Sequence, residues 1–341
     1  MPEFFAQSRE DQREALLAAA ERSGRPLHLL EKDVWVVWAL RQLFAGPHAQ
    51  DLVFKGGTSL SKAYGVIRRF SEDVDPTYDI RAIAPDLIGK AQSPWPTSRS
   101  QEKKWSKTIR QRLADLASGR LAPEVAAALA EQGLPARVRA EGEQVFIDYE
   151  ALGQGTGYVL PSVLLEFGAR STGEPNEPRP VVCDAAQHLP DVSFPEATPQ
   201  VMRPERTFWE KATAIHVFCA QGNFRGGARF ARHWHDVTRR DAAGFVDSAA
   251  ADRALALAVA AHKSIFFAES TPDGAPIDYG AAVTGALALA PSGNARQTLA
   301  EDYQCMVEDG LLLDGAEPFA ALLQRCQALA DKVNAAVRGS A

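Results

Sequence analysis

Apolar residues recur at helical spacing near both ends of the chain, and shorter apolar runs lie between them. Between Ser8 and Phe44 the pattern predicts two helices, because Gly24-Arg25-Pro26 interrupts it with residues that disfavour helix. From Arg203 onwards nearly every segment has helical spacing, and Pro204 suits the first turn of a helix. The sequence therefore predicts a helical lobe at residues 201–341.

The first two hundred residues combine short strand patterns with helices. Leu52-Val53-Phe54 is an apolar run that ends at Gly56-Gly57, and helical spacing follows through Ile67, so a strand, a turn and a helix are predicted. Further strands are predicted at residues 74–80, 144–149 and 159–168, with a helix after residue 100. Proline is frequent between residues 171 and 204, where regular helix is not expected. An α+β lobe at residues 1–200, including the N-terminal helices, is the resulting prediction.

Composition narrows the class of protein. The chain has 341 residues, of which 46% are hydrophobic, and a net charge of -6. No apolar stretch approaches the roughly 18 residues that span a bilayer, and the N-terminus lacks the features of a signal peptide, so we expect a cytoplasmic protein without a membrane anchor. Nucleic acid would have to bind at local basic stretches, from Arg99 to Arg112 and from Arg225 to Arg240, although a solvated helix face explains each equally well.

A glycine-led turn is the first candidate for chemistry. Gly56 and Gly57 allow the backbone to turn tightly and to approach a ligand, while free amide groups at the helix start face an anion. Thr58 and Ser59 add hydroxyl donors, and Lys62 adds a positive charge one turn into the helix. The turn suits a triphosphate, although a Gly-Gly turn that only caps a helix is the commoner explanation.

Two aspartates form the second candidate. If their segment is a strand, Asp73 and Asp75 project from one face and Val74 turns outward between them. Adjacent carboxylates repel each other, so their pairing indicates a bound cation. Two Mg²⁺ ions are the natural candidates, with Mn²⁺ as an alternative, because Mg²⁺ prefers carboxylate and phosphate oxygens. An exposed acidic turn is the other explanation.

The two candidates together resemble a known pattern. A phosphate turn at a strand end, a helix and a strand with Asp-X-Asp are typical of the DNA polymerase beta-type nucleotidyltransferase core. The runs from Phe54 to Lys62 and from Arg69 to Asp75 resemble, more narrowly, the AbiEii/AbiGii toxin family of nucleotidyltransferases. This resemblance implies a polymerase-beta-like core, a small mixed sheet flanked by helices, with a C-terminal helical bundle. It also adds Lys55 and Ser71 to the expected nucleotide-binding residues.

The resemblance extends from about Glu31 to Asp236. Glu31-Lys32-Asp33 looks like the N-terminal element of the family, although a surface ion-pair cluster explains it equally well. The run from Arg206 to Lys211 is similar to the third motif, and the run from Arg229 to Asp236 matches the fourth. Lys211 is expected to face the triphosphate, unless it is a surface lysine, and Asp236 to hold Lys211 or to contact the nucleotide.

A third metal-binding carboxylate is expected on the next core strand, where Glu166 lies within an apolar run. Its alternative role is a salt bridge to Arg170 or another basic residue, because a carboxylate on a buried strand needs a partner. Three tryptophans beside the basic stretches suit stacking on RNA bases, although core or cleft packing is the commoner role for any one of them; they are Trp95, Trp105 and Trp234.

The implied reaction is attack by an acceptor hydroxyl on the α-phosphate of a nucleoside triphosphate, with release of pyrophosphate. The expected catalytic residues are Asp73, Asp75, Lys211 and Asp236, and the expected metal ligands are Asp73, Asp75 and Glu166. The family implies a toxin of a toxin–antitoxin or phage-defence system, with a cognate antitoxin as partner and, for some relatives, the 3′ end of tRNA as acceptor. A small-molecule or protein acceptor, and a nucleotide-binding module without turnover, are the alternatives.

Overall fold

A computed structural model describes residues 1–71, 73–88, 95–155, 159–222, 230–308, 311–312 and 315–339. The chain divides into two compact units. The first consists of Met1–Tyr64, Ser71–Pro94 and Lys104–Met202, and the second of Gly65–Phe70, Trp95–Lys103 and Arg203–Ala341. Two short segments from the first half of the chain, Gly65–Phe70 and Trp95–Lys103, therefore belong to the second unit. A single boundary at residue 200 does not describe this division.

The N-terminal helices follow the predicted pattern. Ser8 caps the first helix by accepting a hydrogen bond from the Asp11 amide, and Gly24 ends it in the left-handed conformation, which only glycine adopts at low cost. The second helix buries most of its side chains, including those of Glu31, Lys32 and Asp33, so the explanation of these three as a surface cluster is wrong. The helices of the first two hundred residues are α1 (Arg9–Ser23), α2 (Leu27–Ala45), α3 (Gly56–Lys62), α4 (Ile80–Ile83), α5 (Pro85–Ile88), α6 (Arg99–Leu116) and α7 (Ala122–Glu131).

Short strands form three sheets in the first unit. They are β1 (Leu52–Lys55), β2 (Asp75–Asp79), β3 (Ala136–Glu141), β4 (Gln144–Tyr149), β5 (Ser162–Glu166), β6 (Gly168–Ser171), β7 (Asn176–Pro178), β8 (Val181–Val182), β9 (Glu196–Ala197) and β10 (Gln200–Met202). The main sheet has the order β6-β2-β1-β10-β7, β3-β4-β5 is an antiparallel meander, and β8 pairs with β9. Strand β1 is antiparallel to β2 and parallel to β10.

The predicted strands are confirmed with two differences. The run at 159–168 divides into β5 and β6, and β5 belongs to the meander whereas β6 belongs to the main sheet. The strand predicted at residues 74–80 is β2, which begins at Asp75 rather than at Val74, although Val74 forms an isolated parallel bridge to Leu165. The alternating polar sequence of β3 gave no strong signal, because its side chains are exposed or half-buried.

The second unit is helical in its part after Met202. Its helices are α8 (Pro204–Gln221), α9 (Arg232–Ala242), α10 (Phe245–Ala251), α11 (Arg253–Phe266), α12 (Tyr279–Val283), α13 (Gly293–Glu308) and α14 (Phe319–Gly339). Trp209 and Trp234 are fully buried in one hydrophobic core, and their indole groups donate to the carbonyls of Ala249 and Leu289. The predicted α+β class, with small sheets flanked by helices and a C-terminal helical part, is confirmed.

Burial decides between the explanations of the tryptophans. Trp105 and Trp234 are 5% and 0% exposed, so neither can stack on a base. Trp95 packs against the rings of His262 and Phe266 in the second unit. Packing inside the protein is therefore the role of Trp105 and Trp234, whereas Trp95 is half-buried and packs on neighbouring rings. Among the described residues, no helix combines the length and the apolar character needed to cross a bilayer.

Candidate functional site

The turn between β1 and α3 holds the carboxylate of Asp75 against its backbone. Gly56 has φ +83, and a Cβ atom placed on it would lie 1.9 Å from Oδ2 and 2.8 Å from Cγ of Asp75. Any other residue would combine a strained backbone with a steric clash. Glycine at position 56 is therefore required both by the turn and by the aspartate beside it.

Strand register sets Glu166 opposite Asp75. Val74 bridges Leu165, and three residues further on Thr77 pairs with Gly168 in the same parallel register. The Val74 amide donates to the Leu164 carbonyl and the Glu166 amide donates to the Val74 carbonyl, both at 2.9 Å. Partners on adjacent strands share one face of a sheet and lie about 4.8 Å apart.

Lys55 extends this row on the other side of Asp75. The two residues are paired in the antiparallel ladder between β1 and β2, so Lys55, Asp75 and Glu166 form one row across three adjacent segments. Asp73 lies two residues before Asp75, just outside β2, and is half-buried like Asp75. Val74 is fully buried on the opposite face, so the prediction that it turns outward is wrong.

The carboxylates are accessible from solvent. Asp73 and Asp75 are half-buried, and Glu166 is exposed rather than buried, so it needs no salt bridge to compensate for burial. Within the described parts of the chain, no three His, Cys, Asp or Glu side chains converge closely enough to form a metal site. Backbone register, rather than a preformed set of ligands, sets Asp75 and Glu166 side by side.

The hydroxyl groups of the turn are used inside the protein. Thr58 is fully buried; its Oγ1 donates to the Asp73 carbonyl at 2.5 Å and lies 3.0 Å from Ser71 Oγ. Ser59 is also fully buried, and its Oγ donates to the Gly56 carbonyl at 3.0 Å. Thr58 and Ser59 were expected to donate to phosphate, but the structure instead gives them the task of holding the turn and the Asp73 segment together.

Lys62 has a different role from the one expected. Its ammonium group lies 2.6 Å from Asp33 Oδ1 and 2.7 Å from Asp184 Oδ1, and its side chain is 7% exposed. The Asp184 amide also donates to Asp33, and Arg25 forms an ion pair with Asp184. Burial raises the pKa of Asp33 while Lys62 opposes that rise. Lys62 thus fastens α3 to α2 and to the segment after β8 instead of facing a phosphate.

A buried charge cluster in the second unit contains the two late motif residues. Both carboxylate oxygens of Asp236 accept from the guanidinium of Arg69, at 2.8 and 2.9 Å. Lys211 Nζ lies 3.0 Å from Asp236 Oδ2. The expectation that Asp236 holds Lys211 matches this geometry, and Lys211, only 12% exposed, is not a surface lysine.

The protonation states in this cluster follow from burial and from charge. Burial lowers the pKa of Lys211 to about 8, although Asp236 opposes that shift. Burial alone would raise the pKa of Asp236, but Arg69 and Lys211 outweigh it and keep that pKa well below its usual range. His233 lies 3.1 Å from Lys211 Nζ through Nδ1, and burial together with Lys211 lowers its pKa well below the usual range. Neutral His233 therefore accepts a hydrogen bond from Lys211.

Sequence reasoning missed three members of this cluster. Arg69 and His233 lie within the matched runs and Arg240 ends a basic stretch, but the sequence pattern assigns a separate role to none of the three. Their interactions join positions far apart in the chain, so no local pattern could have revealed them. Arg229, which begins the fourth motif, and Arg225, which begins the second basic stretch, lie outside the described residues.

The family comparison agrees with these motifs. The family model for the nucleotidyl transferase AbiEii toxin of type IV toxin–antitoxin systems matches residues 38–325. Among solved structures, the chain is similar to MenT4, a nucleotidyltransferase toxin from Mycobacterium tuberculosis H37Rv, with 18% identity and a TM-score of 0.39 over 97% of this chain and 99% of that one. No curated protein matches the chain. Because the family match covers most of the sequence, the chain belongs to the AbiEii family of nucleotidyltransferase toxins of type IV toxin–antitoxin systems.

Proposed function

We propose that the chain transfers a nucleoside monophosphate from a nucleoside triphosphate to an acceptor hydroxyl in a metal-dependent reaction that releases pyrophosphate. One observation carries this proposal: the Asp75 carboxylate lies against the Cα atom of Gly56, in register with Glu166 on the neighbouring strand. Carboxylates beside a backbone turn that a ligand can approach closely are suited to positioning a triphosphate for attack.

The carboxylate row fits a hard divalent cation. Asp73, Asp75 and Glu166 offer only oxygen donors, and all three are at least partly accessible. We therefore assign them as ligands of Mg²⁺, or of Mn²⁺ in its place. When bound, the cation neutralises charge on the phosphates and lowers the pKa of the acceptor hydroxyl.

Within the first unit, the residues beside the row bind and position the substrate. The amide groups of Gly56 and Gly57 contact phosphate oxygens, and Lys55 adds a positive charge beside Asp75. Thr58 fixes the Asp73 carbonyl, and the Ser71 hydroxyl lies against Thr58 Oγ1. In the second unit, Lys211 offers a positive charge to a phosphate group, and Asp236 orients its ammonium group.

The acceptor we propose is RNA, at the 3′ end of tRNA, and the biological role is that of a toxin in a toxin–antitoxin or phage-defence system with a cognate antitoxin. Basic side chains on the exposed face of α6 support an RNA acceptor, because they can contact the phosphate backbone. These side chains are Lys103, Lys104, Lys107 and Arg110. The buried Glu102 on the same helix does not neutralise that face in solvent.

A labelling experiment tests the reaction and the acceptor together. The protein is incubated with each α-labelled nucleoside triphosphate, MgCl₂ and total RNA, and the RNA is separated on a gel. We expect label in tRNA with the wild type and no label with Asp75→Asn. Asp79→Asn is the matched control, because Asp79 ends the same strand and pairs with Arg81. RNA binding should also weaken steeply with salt.

Each other outcome has a definite meaning. Labelling of tRNA by Asp75→Asn would falsify the mechanism. Label transferred to a small molecule or to protein, with unlabelled RNA, would refute the RNA acceptor but retain nucleotidyl transfer. Nucleotide bound without transfer to any acceptor would identify a binding module.

A further inference from the structure

Arg240 is a fully buried guanidinium that lacks hydrogen-bond partners. It lies near the end of α9 with 0% exposure, and its Nε and both Nη atoms have no acceptor within the part of the chain that the structure describes. A guanidinium carries five N–H donors, and removing them from water without replacement is strongly unfavourable. Such a group requires an explanation beyond packing.

The carboxylates near Arg240 already serve other cations. Asp236 lies one helical turn earlier on α9, but Arg69 and Lys211 occupy its two oxygens. Glu210 accepts a hydrogen bond from Arg206 Nε at 3.0 Å. The cluster formed by Arg69, Lys211 and Arg240 thus sets three cations against the single carboxylate of Asp236.

Exposure within this cluster decreases from Lys211 inward. The side chain of Lys211 is 12% exposed, that of Arg69 is 4% exposed, and Arg240 is closed off completely. An anion can therefore reach Lys211 first, and the positive charge of Arg240, which is close enough to lower the pKa of Lys211, acts there through a medium of low dielectric constant. Neutral His233 adds no competing charge and accepts from the Lys211 ammonium group.

We infer that the Arg69–Lys211–Arg240 cluster is a phosphate-binding site within the second unit, and that Arg240 supplies the positive charge which Asp236 leaves unneutralised. The inference rests on the proposed function for the source of the anion, namely the terminal phosphates of the nucleotide or the released pyrophosphate. Arg240 acts through the field and the placement of Lys211, so it is a positioning residue.

Inorganic pyrophosphate is the probe, and its affinity is measured by titration calorimetry for the full chain and for Arg240→Met. We expect the variant to bind at least about tenfold more weakly, as the loss of a charged interaction with phosphate implies. We also expect its urea midpoint to rise, because methionine replaces a buried unpaired charge with an apolar side chain of similar length. Arg239→Met, one position earlier on the same helix and only half-buried, should leave the affinity within twofold of the wild type.

The change in pyrophosphate affinity and the change in urea midpoint together distinguish this role of Arg240 from a purely structural one. An arginine that only holds the fold would lower the urea midpoint of Arg240→Met and leave the pyrophosphate affinity of the folded protein unchanged, and that result would overturn the inference. If the methionine variant does not fold, Arg240→Lys retains the charge without the planar donors, and an affinity within threefold of the wild type with a lower midpoint supports the electrostatic role. Unchanged affinity in Arg240→Met, with intact tRNA labelling by the wild type, refutes the inference alone; absence of labelling by the wild type refutes the proposed function.

Discussion

Replacing Gly56 with alanine should remove activity while leaving the protein folded. The added Cβ atom would lie 1.9 Å from Asp75 Oδ2, whereas real Cβ contacts essentially never fall below 3.0 Å, so the carboxylate must move by about 1 Å. A displacement of that size at a reacting group can reduce the rate about 100-fold. The backbone adds a separate cost of about 1–2 kcal/mol, because alanine must adopt φ +83.

A matched substitution isolates the effect of the clash. Gly24 ends α1 with φ +72, and a Cβ atom there would meet nothing within 4 Å. Gly24→Ala therefore carries a similar backbone cost without touching the site. Thermal unfolding should show comparable losses for both variants, whereas nucleotide-labelling rates should fall about 100-fold only in Gly56→Ala. Activity of Gly56→Ala within threefold of Gly24→Ala, in folded protein, would refute the assignment of Asp75 to the reacting site.

Three further results are expected. Lys62→Met leaves the Asp33 carboxylate buried without its cation, so it should lower the free energy of unfolding in urea by about 3–5 kcal/mol. The loss should be smaller when Asp33→Asn is added to the same protein. A loss below about 1 kcal/mol in Lys62→Met would contradict the anchoring role of Lys62. Burial lowers the pKa of Lys211 to about 8 in the folded protein, while the unfolded side chain keeps its proton to about pH 10.4, so the unfolded state binds more protons between these values. Wild-type stability should therefore rise relative to Lys211→Met between pH 8 and 10, and parallel unfolding curves at pH 7.5 and 9.5 would show otherwise. Excess EDTA should abolish labelling and Mg²⁺ or Mn²⁺ should restore it, so labelling that persists in EDTA excludes the metal-dependent mechanism.

The sequence by itself determined the local elements and the chemistry they carry. The break at Gly24 and Pro26, the strand before Gly56 and the helical spacing after Arg203 all depend on residues within a few positions of one another. The Gly-Gly turn and Asp-X-Asp could be recognised for the same reason, since one requires backbone freedom at adjacent residues and the other two carboxylates only two positions apart.

Only the tertiary structure decided which side chains face a substrate and which hold the fold. Lys62 had the position of a phosphate-binding residue, but Asp33 and Asp184, distant in sequence, bury its charge. The pairing of Arg69 with Asp236 spans 167 positions, and only parallel strand register sets Glu166 opposite Asp75. Such contacts depend on how helices and strands pack against one another. The periodicity of a sequence reports only on neighbouring residues, so it does not reveal which distant residue becomes the partner of a charged side chain.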